Sequence, residues 1–147
     1  MVDVQTEVEI GRPRDEVAAF AADPENATAW YEQIERVEWK GDRRLAVGAR
    51  IAFVARFLGR RLAYTYEIAA VEPGARLVMK TADGPFPMET TYTWTDASGG
   101  TRMTLRNRGG GAGFFKVAGP ILGAAMRRAN RKHLARLKAI LEARPQP

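Results

Sequence analysis

The sequence predicts an α+β domain in which a seven-stranded antiparallel sheet curves around one long C-terminal helix, with two short helices after the first strand. Three observations carry this expectation. Residues 34–108 hold strand-length segments separated only by turn signals, at Gly41-Asp42, Gly59, Pro73-Gly74, Asp83-Gly84-Pro85 and Ser98-Gly99-Gly100. A parallel crossover needs a dozen or more connecting residues, so these strands form an antiparallel meander. Residues 120–143 carry one apolar stripe at helical period. Finally, the widths do not match. Seven strands at ~4.8 Å spacing make a sheet about 30 Å wide, whereas the helix is about 36 Å long and only about 10–12 Å across. One helix cannot cover a flat sheet of that width, so the sheet must curl, with Gly48 and Gly59 expected to help it bend.

Residues 4–10 alternate, with Val4, Thr6, Val8 and Ile10 on one side and Gln5, Glu7 and Glu9 on the other, as in a half-buried strand. Pro13 suits the first position of a helix, and Asp15 and Glu16 suit its first turn, where acids oppose the helix dipole favourably. Val17, Phe20 and Ala21 give that helix an apolar stripe. Asp23 reads as the N-cap of a second short helix that ends near Tyr31. The strands then run over 34–40, 49–58, 61–72, 76–81, 86–95 and 101–108. The glycine-rich stretch 109–113 breaks the sheet, and Gly119-Pro120 starts or kinks the long helix. Its stripe is Leu122, Met126, Ala129 or Asn130, His133 or Leu134, Leu137 and Leu141. With no repeat and no linker, residues 1–147 read as a single domain.

Composition excludes several kinds of chemistry. The 147 residues are 46% hydrophobic and 27% charged, too apolar for wholesale disorder. There is no cysteine, hence no disulfide, thiolate metal site or thiol nucleophile, and one histidine cannot build a multi-histidine metal centre. No metal and no cofactor is expected. The N-terminus lacks a basic region followed by an apolar one, so cytoplasmic localisation is the expectation. The basic charge is carried mainly by arginine, 18 against 5 lysines, a composition typical of a GC-rich bacterial genome.

One strand parity gathers Phe53, Phe57, Tyr64, Tyr66, Met79, Met88, Tyr92, Trp94 and Met103 on the inner face. Thr90 and Asn107 share that parity, and Met126, Asn130 and His133 lie on or beside the helix stripe. A sheet curled over one helix leaves space that these groups line, so they are the candidate ligand-binding residues for an apolar pocket with few polar groups. The tyrosine hydroxyls need partners when buried, which a partly wet pocket supplies. His133 is the only imidazole and the first candidate for proton transfer. Glu67 is the second, although it and Glu89 fall on the polar parity of their strands, and a carboxylate needs burial to donate a proton near neutral pH. Arg56 flanks the apolar face.

Several local features resemble the START/Bet v 1-like (SRPBCC) superfamily, in its polyketide cyclase/dehydrase-like branch. They are Val8-Glu9-Ile10-Gly11-Arg12-Pro13 followed by Glu16-Val17, Asp23-Pro24 ahead of Trp30, Ile34 with Val37, Val47-Gly48-Ala49, Val71-Glu72-Pro73, and Gly100-Thr101-Arg102-Met103-Thr104. The resemblance spans nearly the whole chain. It implies a helix-grip fold with a deep hydrophobic cavity between sheet and C-terminal helix. Members bind lipids, sterols, polyketides or plant hormones, and some act as cyclases or aromatases. The expected function is therefore binding of a small hydrophobic ligand, with a cofactor-free cyclase, aromatase or dehydratase as the alternative. The resemblance transfers no catalytic residue.

Arg127, Arg128, Arg131, Lys132, Arg136 and Lys138 crowd the long helix and match the net charge of +6. They form either a solvated face or a docking surface for an acidic partner, such as an acyl carrier protein or an anionic membrane with Phe114-Phe115 as anchors. Nucleic acid is not expected, since the aromatics sit at core spacing in strands. A monomer or homodimer is expected. The 109–113 stretch lacks the Lys-Ser/Thr of a phosphate loop and reads as a joint that lets the helix end move as a gate.

Overall fold

A computed structural model describes residues 2–110 and 119–145. Seven strands form one antiparallel sheet: β1 (Val2–Ile10), β2 (Ile34–Trp39), β3 (Arg50–Phe57), β4 (Arg60–Glu72), β5 (Arg76–Asp83), β6 (Met88–Ala97) and β7 (Gly100–Gly109). Helices α1 (Arg14–Ala22) and α2 (Ala27–Trp30) follow β1, joined by a 3₁₀ turn at Pro24–Asn26, and α3 (Gly119–Glu142) closes the chain. The strand order is β1-β7-β6-β5-β4-β3-β2, so β1 pairs with the last strand of the meander and β2 forms the other edge. This is the helix-grip arrangement that the sequence predicts, with strand ends shifted by up to two residues.

Three details differ. Pro13 is the N-cap of α1 and not its first helical residue, because its ψ of 145° is extended. Asp23 does cap, but it caps the 3₁₀ turn, accepting from the Glu25 amide at 3.0 Å. Gly48 and Gly59 do not bend the sheet, because both lie outside the strands at positive φ. The strand register instead shifts at Ile34/Arg36, Thr65/Tyr66 and Ile68/Ala70, and such bulges bend a strand and increase its twist. Gly59 serves the β3–β4 hairpin, whose two-residue turn holds Leu58 at φ 50° and Gly59 at φ 75°. Both signs match the turn that favours right-handed strand twist. Leu58 pays for it, since a left-handed conformation costs a non-glycine residue about 1–2 kcal/mol.

The inner face of the sheet packs on α3 through Leu134, Leu137 and Leu141, none more than 1% exposed. Burying each such leucine contributes about 1.5–3 kcal/mol. Leu122 with Val2 and Val4 makes a smaller cluster that holds the start of α3 against β1. Gly100 lets β7 approach the end of β1, since a Cβ there would overlap the Ile10 carbonyl oxygen. Of the glycine-rich joint, Gly109 belongs to β7 and pairs with Val2 and Met88. Residues 111–113 of the joint, with the gating expectation and Phe114-Phe115, lie outside the described residues. Among the described residues no helix is long and apolar enough to cross a membrane.

Candidate functional site

Two adjoining chambers of about 130 and 90 Å³ lie on the inner face of the curled sheet, the larger against α3 and the smaller against the α1–α2 segment. They share Tyr31, Ile34, Tyr64, Tyr66 and Asn107 as walls. Met126, Ala129, Asn130 and His133 of α3 close the larger chamber on one side, and Ala55, Phe57, Leu62 and Met88 face them from the sheet. Ala21, Ala22, Asp23, Pro24, Ala27, Phe53, Met79, Thr90 and Tyr92 complete the smaller one. Both are well below the ~300–1,000 Å³ of an ordinary ligand pocket. The single deep cavity implied by the resemblance is thus divided and narrowed, because large aromatic side chains occupy much of the trough themselves. Tyr64 stacks on Phe53 with ring centroids 5.4 Å apart and tilts against Tyr66 at 5.1 Å.

Of the sequence-predicted set, Phe57, Tyr64, Tyr66, Met88, Asn107, Met126, Asn130 and His133 line the larger chamber. Phe53, Met79, Thr90 and Tyr92 line the smaller. Trp94 and Met103 line neither. Both have the inner parity, but α1 packs against β6 and β7, and there the face becomes closed core. Trp94 borders a separate cleft beside α1. Glu67 is corrected more sharply. It lies on the outer face, paired with Arg50 at 3.0 Å, and cannot act on a molecule held inside. Glu89 faces Lys80 at 3.9 Å on the same outer side. Arg56 reaches only the rim, where its exposed guanidinium pairs with Glu35 at 3.4 Å.

Sequence reasoning missed Tyr31, Gln33, Leu62 and Thr81. Leu62 shares the parity of Tyr64 and Tyr66 and was legible. Tyr31 and Gln33 follow a four-residue helix, too short for periodicity to orient them.

Two hydrogen-bonded sets order the polar groups of the interior. Asn130 Nδ2 donates to Asn107 Oδ1 at 2.6 Å, and Asn107 Nδ2 donates to Thr90 Oγ1 at 2.8 Å. Thr90 Oγ1 lies 2.9 Å from the Tyr66 hydroxyl. The Tyr31 and Tyr92 hydroxyls bond to each other at 2.7 Å. His133 is 3% exposed, its ring 4.7 Å from that of Tyr31, with Nε2 3.4 Å from Gln33 Oε1 and Nδ1 without a partner.

Burial governs the ionisation of all of these groups. Desolvation pushes the Tyr66 hydroxyl up to about 12, against the opposing hydrogen bond from Thr90. It also raises Tyr31, Tyr64 and Tyr92 well above the ordinary phenol range. Desolvation, reinforced by the charges of Arg136 and Lys132, lowers His133 to about 4. At neutral pH the interior is therefore polar at a few points but carries no charge from these groups. These are all four tyrosines of the protein. We expect tyrosinate absorbance near 295 nm to stay flat where free tyrosine titrates, at about pH 10, and to rise only as the fold opens. A normal titration step in the folded protein would contradict the placement.

Among the described residues no cluster of three His, Asp or Glu side chains is arranged to hold a metal ion. On α3, Arg128, Arg131, Lys132 and Arg136 point to solvent. Arg136 donates to the Ala29 carbonyl at 2.8 Å and Lys138 Nζ to the Glu9 carbonyl at 2.7 Å, so part of the basic face ties the helix to its surroundings.

A sheet gripping one helix around small aromatic chambers has known relatives. Residues 1–142 match the family model described as polyketide cyclase/dehydrase and lipid transport. The chain belongs to that family. Solved structures similar to this family member include one from Thermus thermophilus, with TM-score 0.80 and 20% identity over 97% of this chain and 99% of that one. A START superfamily protein from Mycobacterium smegmatis aligns with TM-score 0.76 and 12% identity over 95% and 97% of the two chains. A putative protein in the dynemicin biosynthetic locus aligns with TM-score 0.70 and 22% identity over 97% of this chain and 48% of that one. At such identities the likeness shows the fold alone. No curated protein matches the chain.

Proposed function

We propose that this family member binds a compact, uncharged, largely aromatic molecule in the two chambers on the inner face of the sheet. The observation that carries this reading is the combination of mostly apolar walls with buried polar groups that stay uncharged. Apolar walls favour an apolar guest. Buried phenols and an imidazole that stay uncharged at neutral pH do not favour an ionised one. The volumes suit one or two rings, since a dry cavity of about 150 Å³ accepts benzene.

Cyclisation or dehydration in the same space is the weaker reading. A general acid or base works best with a pKa near the operating pH. Tyr66 at about 12 and His133 at about 4 lie far to either side of neutral.

Titration with naphthalene, a neutral two-ring fluorophore, tests the binding reading. We expect saturable enhancement with the native protein. We expect at least a tenfold loss in Ala55→Leu, whose added atoms enter the larger chamber from a wall position that is 7% exposed. Unchanged affinity in a folded Ala55→Leu variant would place the fluorophore elsewhere and overturn the proposal.

A further inference from the structure

The cleft beside α1 is a second hollow, with chemistry of its own. Its volume is about 580 Å³, within the ~300–1,000 Å³ of an ordinary ligand pocket. Leu77 and Trp94 form an apolar floor, each at most 2% exposed. Ala19, Ala22, Leu45 and Val71 line its more open sides, and the short side chains of α1 leave that wall low. Ala22, Asp23 and Pro24 line both this cleft and the smaller chamber, so that segment stands between the two.

Charge gives the cleft a sign opposite to that of the protein. The chain carries +6 overall. Among the described residues, however, the cleft is lined by four carboxylates, Asp15, Asp23, Glu25 and Glu72, and two guanidiniums, Arg43 and Arg76. Both guanidiniums are engaged, Arg43 with Glu25 at 3.1 Å and Arg76 with Glu72 at 3.0 Å. Arg14 reaches the Gly74 carbonyl at the cleft edge, but its Nε turns to Asp96 at 3.2 Å. Asp15 and Asp23 are therefore left without a cation within ion-pair distance among the described residues. They stand eight residues apart on α1, about 12 Å along its axis, too far to share one ion.

Asp23 has the stronger surroundings. It lies at the C-terminal end of α1, whose last turn holds no basic residue. The negative end of the helix dipole adds to its own charge there. Its Oδ1 accepts the Glu25 amide, and its Oδ2 has no partner among the described residues. β2 packs on the 3₁₀ turn that Asp23 caps, and the Arg43–Glu25 pair holds the loop after β2 in the same place. Trp39, the last residue of β2, thus borders the Asp23 end of the cleft. It is half-buried with Nε1 shut from solvent, so it offers a guest carbon surface and no hydrogen-bond donor. Indole carbon surface attracts a cation.

We propose that this cleft binds an amphiphilic organic ammonium, with its positive head between Asp23 and Trp39 and its apolar body over Ala19, Ala22 and Val71. An anion would meet uncompensated carboxylates, and a neutral molecule would leave them as they are. A small inorganic cation gains nothing from apolar walls.

The test is a matched series of 4-phenylbutylammonium, 4-phenylbutan-1-ol and 4-phenylbutanoate, which share a ring and chain and differ in charge. Titration is followed by NMR through the three indole N–H signals. The ammonium should bind at least tenfold tighter than the other two. It should shift the Trp39 and Trp94 signals more than that of Trp30, which packs in the core against Tyr31 and Tyr92. Asp23→Asn keeps an oxygen to cap the turn; it should cut ammonium affinity at least tenfold and leave the alcohol within twofold. Asp15→Asn should cut it less than threefold. Ala19→Phe, at an exposed wall position, should weaken the ammonium by crowding its body. Ala55→Leu, which fills the larger chamber, should leave ammonium binding in place. Loss of the ammonium in Ala55→Leu would move it to the chambers and overturn the proposal. Equal affinity across the series, unchanged ammonium affinity in Asp23→Asn or Ala19→Phe, or a larger loss in Asp15→Asn than in Asp23→Asn would overturn it too.

Discussion

Replacing Arg12 with alanine is expected to destabilise the protein by about 3 kcal/mol, the scale for breaking a buried charged contact. At 2–4 °C per kcal/mol for a chain of this size, the melting temperature falls by roughly 10 °C. The Arg12 side chain is 1% exposed, an unusual state for a guanidinium. It sits under the C-terminal end of α3, where Nε donates to the Leu141 carbonyl at 2.9 Å and Nη1 reaches the Pro145 carbonyl at 3.4 Å. The final carbonyls of a helix lack internal partners and carry the negative end of its dipole, so a cation there satisfies both. Glu16 approaches at 3.9 Å, and the Arg12 carbonyl accepts from Thr101 Oγ1 at 2.7 Å. One residue thereby ties β1, α1, β7 and the end of α3 together. Arg12→Ala orphans the carbonyls and leaves a void where the aliphatic stem lay. Arg12→Met keeps the stem and should cost about 1 kcal/mol, because losing the desolvation penalty of the charge offsets part of the lost bonding. Denaturant unfolding of both variants checks this. A loss below about 1 kcal/mol in Arg12→Ala would show that the junction holds without the guanidinium.

The contrast between Arg12 and the strands shows what a single sequence reveals. Val4, Thr6 and Ile10 alternate with polar residues because one face of β1 is buried, so that strand is visible from period two alone. The short connections force the antiparallel meander, and the width of a helix forces the curl. Arg12 has no such signature. An arginine between a strand and a helix reads as a surface residue until the far end of the chain arrives over it, some 130 positions later. The chambers have the same limitation. Parity placed Tyr64, Tyr66, Thr90 and Asn107 on the inner face, yet it did the same for Trp94 and Met103, which α1 and the core close off. Parity assigns a face, and only packing decides which part of that face remains open. Tyr31 was hidden for the opposite reason: α2 is four residues long and has no period to read. The bulges at Thr65/Tyr66 and Ile68/Ala70 were equally invisible, because nothing marks them but the partner strand.

Acid should weaken this protein earlier than its carboxylates require, and His133 is the cause. Its folded pKa of about 4 lies below the ordinary 6.5, chiefly through desolvation, with Arg136 and Lys132 adding repulsion. Tyr31 and Gln33, the groups packed against the ring from outside α3, are both neutral and offer no compensating charge. As pH falls through 6.5 the unfolded chain takes up a proton that the folded protein refuses. Stability is therefore unaffected by this residue above about pH 7 and declines from 6.5 towards 4. It levels off only when the folded imidazole also protonates. The gap corresponds to about 3 kcal/mol, at 1.36 kcal/mol per pH unit. Glu142 adds its own loss at lower pH: Lys138, then the Gly11 amide, hold its carboxyl below the usual range, so its contribution fades only as pH falls through that lowered value. His133→Gln keeps a polar side chain but cannot titrate. The unfolding free energy of the native protein should fall steeply between pH 6.5 and 4.5 while that of the variant stays nearly level. Parallel curves for the two proteins, or an imidazole resonance that titrates near 6.5 in the folded state, would place His133 in contact with water and take away the uncharged wall of the chamber it borders.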